Sequence, residues 1–244
     1  MVQKAANIRI ILVKPQESKN IGSVCRAMKT MGLDSLYIVG QENYDRSEAA
    51  ITAVHAVDVF DRAIRCRRLE EAIRDAVLVA GITRRRGKWR KYFALSPEQL
   101  AERIASIGEG PCAVVFGNEA SGLSDRDLSR CHLSTQIPSS PEFPSLNLSH
   151  AVQIITYQIF LRLTKGRGAK TFRPLPQDEL DSLISLMIAS LTNIGFFTQG
   201  DPNELAVFLR DIFARAALEN REAERLAGIF RRISGLVTHR GIDP

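Results

Sequence analysis

Long apolar runs are missing from these 244 residues. No stretch approaches the roughly 18 apolar residues that a membrane-spanning helix needs. The N-terminus lacks the charged, apolar and small-residue zones of a secretory leader. Ile8–Val13 is too short for that role and suits a buried strand. A cytoplasmic protein that does not enter a membrane is expected. Cysteine is scarce: Cys25, Cys66, Cys112 and Cys131 form no CxxC pair and show no zinc-type spacing to the four histidines. Reduced, mostly buried thiols and no metal site are expected. No GxGxxG follows the first strand, and no GxxxxGK[ST] occurs, so dinucleotide and P-loop readings lose their main support. His150 beside Ser149 has no nucleophile elbow to accompany it, which disfavours a hydrolase.

What is present is an uneven charge. The net charge is +6. From Gln177 onward 7 basic residues stand against 10 acidic ones; the other 26 basic and 17 acidic residues precede it, a balance of +9. The N-terminal part therefore suits a polyanionic partner.

Apolar runs alternate with helical patterns as far as residue 165. Ile8–Val13, Leu36–Val39, Val77–Ala80, Ala113–Phe116 and Leu133–Ile137 read as strands. Asn20–Met31 reads as a helix with Ile21, Val24, Cys25, Met28 and Met31 on one face, and Gly32 lies past its end. Further helices are expected near Ser47–Ala53, Leu69–Ala76, Pro97–Ile107 and, longest, Leu146–Thr164. Ser96 with Pro97 and Gln99 makes a clear helix start. Strands alternating with helices imply an α/β fold with a mostly parallel sheet. The stretch Thr164–Lys170, with Pro174 and Pro176, reads as a linker. Beyond it three amphipathic helices are expected, carried by Leu180–Leu191, Leu205–Phe213 and Leu226–Val237. The expected organisation is an α/β domain over 1–165, a linker over 166–176 and a helical module over 177–244.

Three islands rich in Gly, Ser and Asn follow strand-like runs: Asn20–Arg26, Phe116–Leu123 and Pro144–Ser149. In an open parallel sheet, ligands sit outside the carboxyl ends of strands. Gly117 and Gly122 allow close backbone approach and positive φ. Ser145 and Asn147 stand at the mouth of the long helix, where free N–H groups favour an anion. The three islands read as loops of one pocket.

Asn20-x-Gly22-x-x-x-Arg26-Ala27, Phe116-Gly117-Asn118-Glu119-x-x-Gly122-Leu123, and Ile137-Pro138 followed by Ser145-Leu146-Asn147-Leu148-Ser149 resemble motifs 1, 2 and 3 of the SPOUT superfamily, in its SpoU/TrmH class of ribose 2′-O-methyltransferases. The resemblance covers roughly residues 8–164. Within the class, Arg26–Gly32, Pro141-Glu142-Phe143 and the helical extension look most like the TrmJ type, which methylates nucleotide 32 of the tRNA anticodon loop. Pro144 departs from the serine expected there, and Asn118–Gly122 is closer to the general SpoU pattern.

The resemblance implies a trefoil knot at the carboxyl end of the α/β domain and a homodimer whose active sites lie at the subunit interface. It implies S-adenosylmethionine as cofactor, held by Ile82, Thr83, Arg84, Gly117, Gly122, Ile137, Pro144, Ser145 and Leu146. It also implies catalytic roles for Arg26, Asn20, Glu119, Ser145 and Asn147. Arginine holds its proton above roughly pH 12, so Arg26 suits a phosphate clamp better than a base. Bland roles stay open for each: Asn20 as helix cap, Arg26 as a solvated arginine, Gly117 and Gly122 as turn residues, Glu119 as an anchor rather than a base, Ser145 and Asn147 as caps.

Arg84, Arg85, Arg86, Lys88, Trp89, Arg90 and Lys91 make the most basic stretch. Its cations suit phosphates and its aromatics unpaired bases, so RNA contact is expected there. Arg62, Arg65, Arg67 and Arg68 form a second cluster, either RNA-binding or a solvated face. The expected function is 2′-O-methylation of a tRNA ribose. Ribosomal RNA or another tRNA position, a non-catalytic RNA-binding protein, and a small-molecule α/β enzyme are the alternatives.

Overall fold

The structure is a computed structural model and describes residues 7–40, 43–84, 94–164, 173–197 and 201–239. β1 (Ile8–Val13) is almost continuously apolar, the pattern of a parallel strand covered on both faces. Its alternation separates two cores. Ile8, Ile10 and Leu12 join one cluster, and Ile11 and Val13 the other. β6 (Cys112–Phe116) divides the same way, with Cys112, Val114 and Phe116 on the first side and Ala113 and Val115 on the second. The period of two assigns each side chain to one layer.

The remaining strands are β2 (Ser35–Val39), β3 (Ile64–Cys66), β4 (Leu78–Ile82), β5 (Ala94–Leu95) and β7 (Leu133–Thr135). They form one sheet in the order β3-β2-β1-β6-β4-β7-β5, and every pairing is parallel. The α/β class and parallel sheet expected from the alternation are present. β3 and β5 escaped the sequence reading because two or three residues carry too little period to detect.

The helices are α1 (Ser18–Thr30), α2 (Arg46–Ala53), α3 (Val57–Asp61), α4 (Leu69–Ile73), α5 (Pro97–Ser106), α6 (Asp125–Ser129) and α7 (Leu148–Thr164). Ser96 and Gln99 form the expected capping box of α5. α1 buries Ile21, Val24, Cys25 and Met28. A Cβ on Gly22 would stand 2.0 Å from the Ala49 carbonyl oxygen, so α1 and α2 meet at backbone distance. The glycine of the first island therefore serves helix packing, not a ligand.

Three further helices, α8 (Gln177–Asn193), α9 (Pro202–Ala216) and α10 (Asn220–His239), match the three expected amphipathic segments. Asp201 caps α9 by accepting from the Asn203 N–H at 2.8 Å, with Pro202 in the first turn. Leu180, Leu183, Ile184 and Met187 of α8 are the buried centre of two small clusters shared with α9 and α10. Gln177 ties this module to the sheet. Its N–H donates to the Ala76 carbonyl at 3.1 Å, and its buried side chain meets His132 at the start of β7. The Val79 N–H donates to His132 Nδ1 at 3.3 Å, so Nε2 carries the proton and donates to Gln177 Oε1. Arg173–Pro176, the described end of the expected linker, is already packed: Pro174 bridges Glu219, and the Leu175 N–H donates to the Leu218 carbonyl at 2.7 Å.

Candidate active site

The sheet order places the carboxyl ends of β1, β6, β4 and β7 side by side. The second island fills the loop after β6 and the third runs from the loop after β7 into α7, whereas the first, expected as a loop, lies within α1 shortly after β1; the neighbouring strand ends are why segments distant in sequence converge. A cleft of about 810 Å³, counting its open mouth, lies among them. Its wall contains all nine residues expected to hold the cofactor: Ile82, Thr83, Arg84, Gly117, Gly122, Ile137, Pro144, Ser145 and Leu146. Phe116, Asn118, Glu119, Ala120, Ser121, Leu148 and Ala151 complete it. Apolar side chains stand beside loop backbone and small polar groups, a combination suited to a ligand with both flat apolar and charged parts.

Beneath the cleft the three islands are joined by hydrogen bonds. Asn147 Nδ2 donates to Asn20 Oδ1 at 3.0 Å, and Asn20 Nδ2 donates to Glu119 Oε1 at 2.8 Å. The other carboxylate oxygen, Glu119 Oε2, accepts from the Gln16 N–H at 2.9 Å. Glu119 is thus held at both oxygens. Asn20 is no helix cap: α1 begins at Ser18, and Glu17 holds the cap position without a side-chain bond. Its amide lies in the relay because both its ends are used across the fold. Asn147 keeps a capping role as well, since its Oδ1 accepts from the Ser149 N–H at 2.8 Å and the Ser149 hydroxyl at 2.7 Å. Ser145 is exposed on the cleft wall and makes no hydrogen bond among the described residues.

The second island is shaped by its small residues. A Cβ on Gly117 would lie 2.0 Å from the carbonyl carbon of Gly122, so the loop closes on Gly117 itself. Gly122 has φ +69°, and nothing stands within 4 Å of where its Cβ would be. It therefore leaves free space on the wall that a cofactor can approach. Asn118 Oδ1 accepts from the Ser121 N–H at 2.7 Å and the Ser121 hydroxyl at 2.9 Å, and the Asn118 carbonyl accepts from the Gly122 N–H at 3.0 Å. Asn118 and Ser121 were not singled out as site residues from sequence, although Asn is a residue whose side chain bonds nearby backbone in turns. Ser139 was also missed: its hydroxyl donates to the Pro144 carbonyl at 3.1 Å and holds the third loop. Gln16 left no signal, because it acts through its backbone.

Arg26 is not part of this wall. It lies on α1 two turns beyond Asn20, exposed, with no hydrogen bond or ion pair among the described residues. Of the basic stretch only Arg84 lies in the described residues; Arg85, Arg86, Lys88, Trp89, Arg90 and Lys91 lie outside them. The second arginine cluster is largely committed within the fold. Arg62 pairs with Asp58 at 2.9 Å, and Arg68 with Glu71 at 3.3 Å. Arg65 stacks on Phe60 and Tyr44, 4.8 and 5.6 Å from the ring centroids. Burial pushes the Tyr44 hydroxyl up to about 12, the Arg65 charge opposes the rise and the Glu119 charge adds to it. Tyr44 is therefore a neutral donor, and its hydroxyl gives its proton to the Pro15 carbonyl at 2.8 Å beside the first island.

Residues 7–157 match the SpoU rRNA Methylase family. The chain belongs to that family. It is 36% identical over 233 residues to the tRNA (cytidine/uridine-2′-O-)-methyltransferase TrmJ of Pectobacterium atrosepticum, covering 93% of this chain and 96% of that one. The protein of the same name from Salmonella choleraesuis is 35% identical over 234 residues, covering 93% and 96%. Among solved structures, TrmJ from Z. mobilis ZM4 superposes with a TM-score of 0.75 at 31% identity, over 93% of this chain and 99% of that one. A probable methylase family protein from Haemophilus influenzae Rd KW20 follows at TM-score 0.63 and 29% identity, over 96% and 98%. The similarity to TrmJ proteins thus extends through the helical module.

Proposed function

We propose that this protein methylates the ribose 2′-hydroxyl of nucleotide 32 in the tRNA anticodon loop, using S-adenosylmethionine, as a cytoplasmic homodimer. The observation that carries the reading is the relay Asn147–Asn20–Glu119, which joins all three motif islands under the cleft. The curated relatives named above act on tRNA according to their names, and the likeness spans almost their whole length.

The cleft residues fit the cofactor: Ile82, Ile137 and Leu146 offer apolar surface, and Gly122 leaves open space at positive φ. When bound, S-adenosylmethionine supplies a methyl group on a sulfonium that leaves as a neutral thioether. The protein must align the ribose oxygen with that carbon and exclude water. Glu119, fixed at both oxygens, anchors the first and second loops rather than serving as a free base. Asn20 sets the position of Asn147, and through it the start of α7 beside Ser145. Arg26 keeps its proton and clamps a phosphate near the target ribose. Because Arg26 stands outside the cleft of its own chain, we assign it to the cleft of a second copy. A trefoil knot agrees with the sheet order, in which β6 inserts between β1 and β4 and β7 between β4 and β5. We place the methyltransferase domain at 1–165 and a tRNA-gripping helical module at 177–244, with Arg84–Lys91 also facing RNA.

The test supplies labelled methyl donor with unmodified tRNA and, separately, ribosomal RNA, then maps the methylated riboses. Methylation at tRNA nucleotide 32, lost in Arg26→Ala and Asn147→Ala, is expected. Methylation of ribosomal RNA alone, or unchanged turnover in both variants, overturns the reading.

A further inference from the structure

α10 carries a face that stability does not explain. Positions 221, 225, 228, 232 and 235 recur at steps of four and three, so they form one stripe along the helix. The stripe reads Arg, Arg, Gly, Arg, Gly. It lies opposite Ala223, Leu226, Ala227 and Phe230, which pack into the module. Arg221, Arg225 and Arg232 are exposed and make no ion pair or hydrogen bond among the described residues. Arg221 and Arg225, four apart, repel each other, where a glutamate at one position would help the helix. Glycine inside a helix is also unfavourable relative to alanine. Yet nothing lies within 4 Å of a Cβ built on Gly228 or Gly235, so no packing inside the chain requires either glycine. Two local rules are broken on one face with no internal compensation, the mark of a surface shaped by a partner.

From this face we infer that the α10 stripe binds the phosphate backbone of the RNA substrate. The inference rests on the tRNA reading above and adds the surface that grips the substrate. Three unpaired guanidiniums spread over twelve residues, about 16 Å of helix, follow a polyanionic strand. The two glycines remove side-chain bulk between them, so that a sugar–phosphate chain can approach the helix axis. The module as a whole is acidic, and several of its acids are engaged away from the stripe: Asp181 takes Arg210 at 2.8 Å, Asp201 caps α9, and Glu222 accepts from the Glu219 N–H at 3.0 Å. A second copy of this helix is the rival occupant, because glycines seven apart allow helices to cross closely. Charge decides against it, since six arginines would then face one another.

The test measures binding of unmodified tRNA transcript to the full-length protein over a salt series. Replacing Arg221, Arg225 and Arg232 together by Gln is expected to weaken binding at least about tenfold near physiological salt. It should also flatten the slope of log affinity against log salt by about 2. The triple Lys variant should retain the slope. Gly228→Ala and Gly235→Ala are expected to raise the melting temperature while weakening tRNA binding, a pairing that simple misfolding does not produce. Unchanged affinity and slope in the Gln variant overturn the inference, as does a change of oligomeric state with tRNA binding intact. Should the wild type methylate no tRNA, the functional reading fails; if it does and the Gln variant binds normally, only the stripe assignment fails.

Discussion

Asn20 and Glu119 are ninety-nine residues apart and share a 2.8 Å hydrogen bond from Nδ2 to Oε1. The bond connects the helix after β1 to the loop after β6, and Asn147 extends it to the helix after β7. Breaking it should act on all three loops. Asn20→Asp places a second carboxylate against Glu119 and removes the donor. Methyl transfer is expected to fall by about 10²-fold through misplacement of the loops. Initial rates with the purified variant, alongside circular dichroism to check folding, read the outcome; a near-wild-type rate would show that the relay is not needed.

The two glycines of the second island should respond differently to alanine. At Gly122 the added methyl meets open space, and the positive φ alone costs about 1–2 kcal/mol. At Gly117 the methyl meets backbone at 2.0 Å, so the loop must move. Gly117→Ala should therefore lose cofactor binding outright, whereas Gly122→Ala weakens it. Isothermal titration with S-adenosylmethionine distinguishes them.

Gln177→Ala should loosen the helical module. His132 and Gln177 are only 3% and 4% exposed, and the substitution leaves the His132 N–H without its partner. An unsatisfied buried donor costs about 1–3 kcal/mol. A lower denaturation midpoint is expected. Gln177→Leu is no better, because it fills the space yet still cannot accept a hydrogen bond.

Acid should weaken the clamp between Arg9 and Asp75. The Arg9 guanidinium holds Asp75 from two nitrogens, at 2.6 and 2.7 Å, and keeps the carboxyl below its ordinary value of 3.8. A depressed folded value means that this stability is complete above the unfolded value and drains away as the pH falls through the folded one. Asp75 is largely exposed, so the gain is at most about 1 kcal/mol. Asp75→Asn should lower stability at pH 7 and flatten the decline below pH 4, as followed by urea unfolding.

All four cysteines are free and buried, and burial pushes the Cys25 thiol up to about 12. At pH 8 only about 1 in 10⁴ of Cys25 is thiolate. A thiol reagent should find almost nothing in the native protein and four groups after denaturation. Rapid native labelling of Cys25 would contradict the packing of α1.

Much of this architecture was legible beforehand. Apolar runs long enough to show a period, such as Ile8–Val13 and Ala113–Phe116, announced buried parallel strands. The second and third Gly-, Ser- and Asn-rich islands announced loops, since those residues favour turns and backbone exposure, whereas the first lies inside α1. The nine cleft residues came from the family resemblance, since Ile82, Thr83 and Arg84 lie in none of the three islands. β3 and β5 were too short to read, and Gln16 could not be read because its contribution is a backbone N–H.

By itself the sequence determined the α/β alternation, the amphipathic helices carried by Leu180–Leu191, Leu205–Phe213 and Leu226–Val237, and the three polar islands, because period and turn chemistry are local. The tertiary structure decided the rest. It made Asn20 a relay instead of a cap and set Gly22 at the close crossing of α1 and α2. It anchored Glu119 at both oxygens and left Arg26 outside the cleft of its own chain. Each outcome depends on which strand ends become neighbours in the order β1-β6-β4-β7, and that order is set by packing across the whole sheet.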